Sequence, residues 1–260
     1  MDLAHALSGF LVGILVGMTG VGGGSLMAPV LILIFGVAPT TAIGTDLWFA
    51  GTTKTVGGAI HSAKKNADFR IVGRLMAGSI PAAIATLLVM NAMHWDQVKS
   101  GWLPLTLGLV LLATAIATFA RPSLHRWILS KAKRDGDPTH GMQLPLTVFT
   151  GAVLGVLVTI TSVGAGALGA TLLIFLYPLR LNAKQVVGTD IVHAIPLTFV
   201  AGIGHLIVGS VDAHLLANLL IGSIPGIIIG SLLVHRISER LVRLALATVL
   251  VIAGARLIAL

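Results

Sequence analysis

The sequence contains no cysteine, and only 10% of its 260 residues are charged. Without cysteine, disulfide bonds, thiolate metal sites and thiol catalysis are excluded. Soluble domains carry about 25% charged residues, so this chain has too few polar side chains to cover a water-soluble globule of its size. The composition therefore excludes an ordinary soluble enzyme or binding domain.

The sequence also lacks the polar–apolar alternation of membrane β-barrel strands. Hydrophobic residues make up 56% of the chain, and its mean hydropathy is +0.99. Apolar segments follow one another almost end to end, and in lipid they must be helices because their backbone groups need internal partners. The N-terminus has no basic n-region, so we expect it to begin the first membrane segment. The ten predicted segments are 3–18, 24–36, 40–60, 71–90, 102–119, 143–160, 165–178, 185–208, 214–234 and 241–258.

Acidic residues are scarce beside basic ones, which gives a net charge of +8 and a pI of about 10.7. The basic residues occupy short loops between apolar segments, so we expect a positive-inside topology and no nucleic-acid partner. Fourteen Lys and Arg residues fall on one predicted side and two on the other, with Lys54 inside a segment. We therefore expect a multi-pass protein of the inner membrane, with the basic side cytoplasmic and both termini outside.

The longest polar stretch, residues 121–142, divides the chain into two halves that match each other. GTD occurs at 44–46 and 188–190, and GSIP at 78–81 and 222–225, each 144 positions apart. Two motifs at one shared offset indicate a duplication. We predict a first transmembrane repeat over 1–120, a basic cytoplasmic linker over 121–142 and a second repeat over 143–260. Nearer the start of each half the offset is 142, and it pairs Gly9, Gly13, Thr19, Gly22 and Gly24 with Gly151, Gly155, Thr161, Gly164 and Gly166.

Five segments in each half, an odd number, place the second half upside down relative to the first. The predicted fold class is therefore an all-α integral membrane bundle of two inverted-topology repeats, an architecture typical of secondary transporters. Glycines interrupt the apolar sequence in both halves, at TGVGGGS (19–25) and TSVGAG (161–166). The segments beside them are too short to cross a hydrocarbon core of about 30 Å, which favours broken or re-entrant helices with backbone N–H groups available to an anion. The alternative is that these glycines only allow helices to pack closely.

Ionisable residues inside the apolar segments are expensive and are usually functional. Asp46 and its repeat mate Asp190 are candidates for proton carriers, and the alternative is that they cap the helices that GTD opens. Lys54 lies two turns after Asp46, and it would either bind an anion or neutralise Asp46. His193 lies one turn after Asp190 and is a candidate proton relay, or else a neutral hydrogen-bonded histidine.

The motif GMTGVGGG (17–24), the A-x-G-T pattern of Ala42 to Thr45 and the echo of both in the second half resemble the TauE/SafE sulfite exporter family. The resemblance covers nearly the whole chain. It implies an inner-membrane permease for small organic or sulfur-containing anions, such as sulfite or a sulfonate. The sequence departs from the motif in its second half, where Ser162 and Ala165 replace glycines. The residues that the resemblance assigns to the substrate are Gly20, Gly22, Gly23, Gly24 and Thr45, with Gly164, Gly166 and Thr189 in the second copy.

These observations lead us to expect a proton-coupled secondary transporter for a small anion, working by alternating access as one half rocks against the other. The expected partners are that anion and the lipid bilayer, and no enzyme activity, cofactor or metal is expected. An anion channel on the same fold is the first alternative. An intramembrane enzyme that uses Ser25 with His61 or His193 is the second, although the position equivalent to Ser25 carries Ala167. A purely structural membrane protein is the third.

Overall fold

The computed structural model describes residues 2–19, 25–63, 66–93, 102–135, 141–233 and 238–260, and within these ranges it contains helices and connections but no strand. Six of the helices that the structure describes are long and apolar enough to cross a membrane. The chain is thus a polytopic helical membrane protein, as the composition predicted. The described helices are α1 Leu3–Thr19, α2 Met27–Leu33, α3 Pro39–Ala63, α4 Phe69–Ala92, α5 Trp102–Asp135, α6 Gln143–Thr161, α7 Ala167–Leu176, α8 Ala183–Ile207, α9 Ala213–Leu233 and α10 Glu239–Ile258.

Nine of these helices match the predicted segments to within a few residues, but α5 continues through Pro122 to Asp135. The extension is helical because Leu124, Ile128 and Ala132 recur every fourth residue and so share one face. Ile128 and Ala132 are buried, and Leu124 packs against the apolar cluster that contains Ile128. Much of the stretch taken as a linker is therefore a packed continuation of α5. The division of the chain at residues 121–142 stays a prediction.

Each half opens with a helical hairpin. In the second half, the Gln143 side chain at the start of α6 reaches the Leu176 carbonyl at the end of α7, with Nε2 and O 3.4 Å apart. The Thr147 and Tyr177 hydroxyls hydrogen-bond at 2.7 Å. In the first half, the rings of His5 and Phe35 close the corresponding ends, with centroids 4.3 Å apart. His5 precedes Thr147 by 142 positions, and Phe35 precedes Tyr177 by the same number. The two contacts that close the hairpins therefore lie at equivalent positions of the two halves.

The second helix of each hairpin is short. With 7 residues in α2 and 10 in α7, neither can span about 30 Å at about 1.5 Å per residue. The second-half chain turns back over residues 162–166, which confirms the expected break in the helix there. The first-half glycines Gly20, Gly22, Gly23 and Gly24 lie outside the described residues.

The two sequence halves exchange helices. The most extensive contacts join α1 to α9 and α4 to α6, that is, the first helix of each half to the fourth helix of the other. Helix α3 packs on α8, its repeat mate, and α5 packs on α10. The halves are therefore interleaved, because the most extensive helix contacts run between them.

Glycines allow the exchanged helices to touch through their backbones. At several glycines of these four helices, an added Cβ would overlap a backbone atom of the facing helix. This close packing accounts for the repeated glycines of the first helices and for the glycine of both GSIP motifs. The facing pairs are Gly9 with Leu219, Gly13 with Ser223, Gly151 with Leu75, Gly155 with Ser79, Gly78 with Val148 and Gly222 with Ala6.

Candidate functional site

The glycine and threonine of each GTD motif hold the two halves together. The Asp212 backbone N–H donates to Thr45 Oγ1 over 3.1 Å, and the Asp68 backbone N–H donates to Thr189 Oγ1 over 3.0 Å. A Cβ on the preceding glycine would overlap the Ser210 carbonyl in the first case and the Asn66 carbonyl in the second. Thr45 and Thr189, which the family resemblance assigned to the substrate, thus bind the connections that precede α9 and α4.

The aspartates of the two motifs turn into the protein. Asp46 on α3 and Asp190 on α8 are buried, with 0% and 2% of their surfaces exposed. Asp46 lies beside the Ser162 hydroxyl and the Ala28 backbone, while Asp190 lies over Gly169 on α7. The Asp190 carboxylate fills the space that a side chain at position 169 would occupy. Each aspartate therefore faces the short helix of its own half.

Lys54 is buried between these carboxylates. It is 3% exposed, and its ammonium interacts electrostatically with both Asp46 and Asp190. Its Nζ donates a hydrogen bond to the Ala165 carbonyl, 2.9 Å away, at the tip of the second hairpin. The structure thus brings together three residues that the sequence selected one by one, and it adds the hairpin tip as their fourth neighbour.

His193 lies on α8, one turn beyond Asp190, and is fully buried. Its Nε2 and the Ser79 Oγ are 2.9 Å apart, whereas its Nδ1 has no partner among the described residues. Sequence reasoning did not select Ser79, although its place in the repeated GSIP motif was a signal. Because Ser79 holds one nitrogen and the other has no partner among the described residues, His193 forms no nucleophile–base pair with Ser25 there. The His61 side chain, the other base considered for Ser25, lies outside the described part of the structure.

The tip of the second hairpin presents backbone to the buried charges. Ser162 adopts a left-handed conformation with φ of 59°, and Gly164 and Gly166 have φ of 127° and 141°, which side chains disfavour. Residues 162–166 are all buried. Within the described part of the chain, the backbone N–H groups of Gly164, Ala165 and Gly166 donate to no acceptor. Unpaired N–H groups at such a tip form the kind of concavity that binds anions.

Unpaired side-chain atoms are confined to the same place. In the ranges that the structure describes, the buried side-chain oxygens and nitrogens without a hydrogen-bond partner belong to Asp46, Ser162, Asp190 and His193. All four residues surround Lys54 or touch a residue that does. A buried unpaired polar group costs about 1–3 kcal/mol, and natural proteins leave few of them unless they serve a purpose. We call Asp46, Lys54, Ser162, Asp190 and His193 the charged cluster.

Comparison with known proteins identifies the family of this chain. A family model described as "Sulfite exporter TauE/SafE" matches residues 5–257. The chain belongs to the TauE/SafE family. The family and the names of similar proteins support a membrane transporter of the TauE/SafE type.

Two Bacillus subtilis (strain 168) proteins are similar to this TauE/SafE chain. "Probable membrane transporter protein YjnA" is 40% identical over 99% of this chain and 100% of its own length. "Probable membrane transporter protein YdhB" is 29% identical, over 80% of each chain. No solved structure matches.

Proposed function

We propose that this protein is a proton-coupled secondary transporter of a small anion, such as sulfite or an organosulfonate, with its substrate site at the charged cluster and the tip of the second hairpin. The observation that carries the proposal is the gathering of unpaired buried polar atoms around Lys54. Such atoms find partners when a ligand or a proton binds, so their cost to the empty protein becomes binding energy for the substrate.

The charge count of the cluster favours proton coupling. With Asp46 and Asp190 ionised and Lys54 protonated, the three side chains carry one net negative charge, which repels an anion. Protonating one carboxylate makes the trio neutral, and protonating both leaves one positive charge that attracts an anion. The cluster also contains His193, and Arg121 of α5, outside the cluster, interacts electrostatically with Asp190. In this scheme the anion binds together with protons.

The hairpin tip would supply the directional contacts. The unpaired N–H groups of Gly164, Ala165 and Gly166 are suited to the oxygens of a sulfite or sulfonate group, and the Lys54 ammonium lies beside them. Gly20, Gly22, Gly23 and Gly24 would form the matching tip in the first half. In this proposal Thr45 and Thr189 position Asp46 and Asp190, because each threonine fixes the turn of helix that carries its aspartate.

The interleaved helices change which parts of the chain could move against each other during alternating access. Because α1 is packed on α9 and α4 on α6 through glycine contacts, the sequence halves cannot rock apart as two bodies. We infer that each moving unit contains helices from both halves. The basic connections would face the cytoplasm of an inner membrane, in accord with the positive-inside rule.

The test is sulfite uptake by proteoliposomes that contain the purified protein, with and without an imposed pH gradient. We expect saturable uptake that follows the gradient and falls when the gradient is collapsed. In Asp46→Asn and Asp190→Asn the amide side chain neither binds nor releases a proton, so uptake should lose its dependence on the gradient.

The control is Asp2→Asn, which removes a carboxylate outside the cluster. Uptake that ignores the gradient in the wild type would refute proton coupling, and non-saturating flux would favour the channel alternative. If folded protein transports no sulfite, the same assay with a panel of organosulfonates and small carboxylates tests the broader claim of anion transport.

A further inference from the structure

Helices α5 and α10 touch at one end and enclose a groove along the rest of their contact. Gly108 and Gly254 meet so closely that a Cβ on either would press against the other's carbonyl. Further along, the helices leave a cavity of about 390 Å³ between Ile116 and Phe119 of α5 and Leu244 and Val251 of α10. The floor is made of small residues, with Ala115 and Ala247 both buried. The long apolar side chains stand exposed at its rim: Ile116 68%, Phe119 70%, Leu244 49%, Val251 46% and Ile252 58%.

A second cavity continues the apolar groove toward the end of the membrane segment. It measures about 500 Å³ and shares Phe119 and Leu244 with the groove. Three arginines line it: Arg126 from α5, and Arg240 and Arg243 from α10. The described residues that line this cavity include no acidic side chain. Together the two cavities form an apolar groove on the outer surface of the helices that ends in a basic pocket. We call this combined feature the α5–α10 cleft.

We propose that the α5–α10 cleft is a binding site for an anionic phospholipid, whose phosphate lies among Arg126, Arg240 and Arg243 and whose acyl chain lies along the groove. The proposal rests on the match between the cleft and a phospholipid, both in chemical groups and in the order of those groups across the membrane. A phospholipid has its negative charge at the membrane surface and its apolar chain below, and the cleft has arginines at the surface and an alanine-floored groove below. Basic pockets between transmembrane helices are typical sites for anionic headgroups.

Charge and shape argue against two other occupants. A second copy of this chain would sit in the membrane in the same orientation, so a symmetric contact through this cleft would bring two sets of arginines together. A small soluble anion would use the arginines but would leave the apolar groove unused. The phospholipid satisfies both parts of the cleft at once.

Native mass spectrometry of the detergent-solubilised full chain can test the proposal. The probe is phosphatidylglycerol, compared with phosphatidylcholine that carries the same acyl chains. We expect the wild-type protein to retain phosphatidylglycerol in preference. The double variant Arg126→Gln/Arg240→Gln should weaken that retention by about tenfold or more, because each arginine near a headgroup contributes attraction.

The matched control is Lys131→Gln/Lys133→Gln, which removes the same charge from exposed positions of the same end of α5 but outside the cleft. A second pair tests the groove. Thr248→Trp places a ring in the groove and should also displace the lipid, whereas Val249→Trp, at an exposed neighbour outside it, should not. Unchanged elution in size-exclusion chromatography shows that each variant is folded.

Three results would overturn the proposal. If the arginine and the lysine double variants lose phosphatidylglycerol retention equally, the lipid is attracted by basic side chains in general and not by the cleft. Displacement of the lipid by glycerol phosphate at matched concentration would mean a soluble anion site. A dimer that Thr248→Trp splits into monomers would mean that a second copy fills the cleft.

Discussion

Asp46 and Asp190 hold the same place in the two repeats, yet a single lysine serves both. The position equivalent to Lys54 in the second half is Thr198, 144 residues later. Thr198 donates its hydroxyl to backbone carbonyls of its own helix and so adds no charge. One half therefore contributes a cation to the charged cluster, and the equivalent position of the other half carries a neutral side chain. With one lysine between two aspartates, protonation of either aspartate would take the net charge of these three side chains from −1 to zero.

Replacing Lys54 by the residue of its own repeat mate tests that asymmetry. In Lys54→Thr the cluster loses its cation and the Ala165 carbonyl loses its hydrogen-bond donor, so an anion meets only carboxylates. We expect initial rates of anion uptake to fall by about tenfold or more, since a buried charge pair contributes more than one factor of ten. Lys184→Thr, at an exposed position, is the control, and an equal rate in wild type and Lys54→Thr would exclude Lys54 from the site.

Gly169 offers a second test that leaves every ionisable residue in place. In Gly169→Ala the new methyl group would overlap the Asp190 Oδ1, so the carboxylate must move away from α7. We expect transport to fall several-fold and its pH dependence to shift, because the carboxylate gains new surroundings. Gly141→Ala, where a Cβ meets nothing, should transport like the wild type. Transport by Gly169→Ala at the wild-type rate and pH profile would separate Asp190 from the mechanism.

At the scale of elements, the helix contacts depend on glycine positions that look alike in sequence but differ in surroundings. On α4, Gly78 faces the Val148 backbone, and Gly73 faces open space at the helix surface. We expect Gly78→Ala to lower the free energy of unfolding by about 1–3 kcal/mol, as over-packed contacts do. Gly73→Ala should leave stability unchanged or raise it by up to about 1 kcal/mol, because alanine favours the helix.

Thermal unfolding of both variants in one detergent, followed by the loss of helical circular dichroism, compares these two glycines directly. The close approach of α4 and α6 is contradicted if Gly78→Ala and Gly73→Ala unfold at the same temperature. Since neither residue lies in the charged cluster, the comparison reports on packing alone.

Much of the helix pattern was readable from the sequence, because runs of apolar residues interrupted by basic loops leave few alternatives in lipid. The repeat also identified Asp46 and Asp190 as a pair. What the sequence could not show was the partner of each residue. Thr45 and Asp46 are neighbours in one motif, yet one binds a connection of the other half and the other faces α2. The direction in which a helical residue points depends on packing across the whole chain.

The end of α5 shows the opposite kind of miss. Its charged residues and Pro122 indicated a linker, because charge and proline usually end a helix. Burial of Ile128 and Ala132 outweighed that signal. Apolar residues at helical spacing stabilise a helix when one face is buried, even if the other face is charged and exposed. The arginines of the opposite face then became available to the α5–α10 cleft.

For the whole molecule, the interleaved halves predict that neither is stable alone. Cutting the chain within residues 136–140 leaves one fragment with α1 to α5 and another with α6 to α10. Each fragment would expose the glycine faces that the other covers. We expect either fragment expressed alone to be degraded, and both expressed together to co-purify through a tag on one of them.

The control for this experiment is the fragment pair that carries Gly78→Leu, which blocks the contact of α4 with α6. Loss of co-purification in that pair would show that assembly depends on the exchanged helices. A single fragment that is monodisperse and thermally stable on its own would contradict the interleaved architecture.

The pairing of α1 with α9 also sets an order of events during synthesis. The ribosome delivers α1 first, and its packing partner emerges only when most of the chain has been made. Until then the first hairpin lies in the bilayer with its glycine face turned to lipid, and α4 likewise waits, for a shorter stretch of synthesis, until α6 arrives. Biogenesis of this transporter thus ends with a late docking step, and a nonsense mutation between α5 and α9 would leave membrane helices without their packing partners, which quality control must remove.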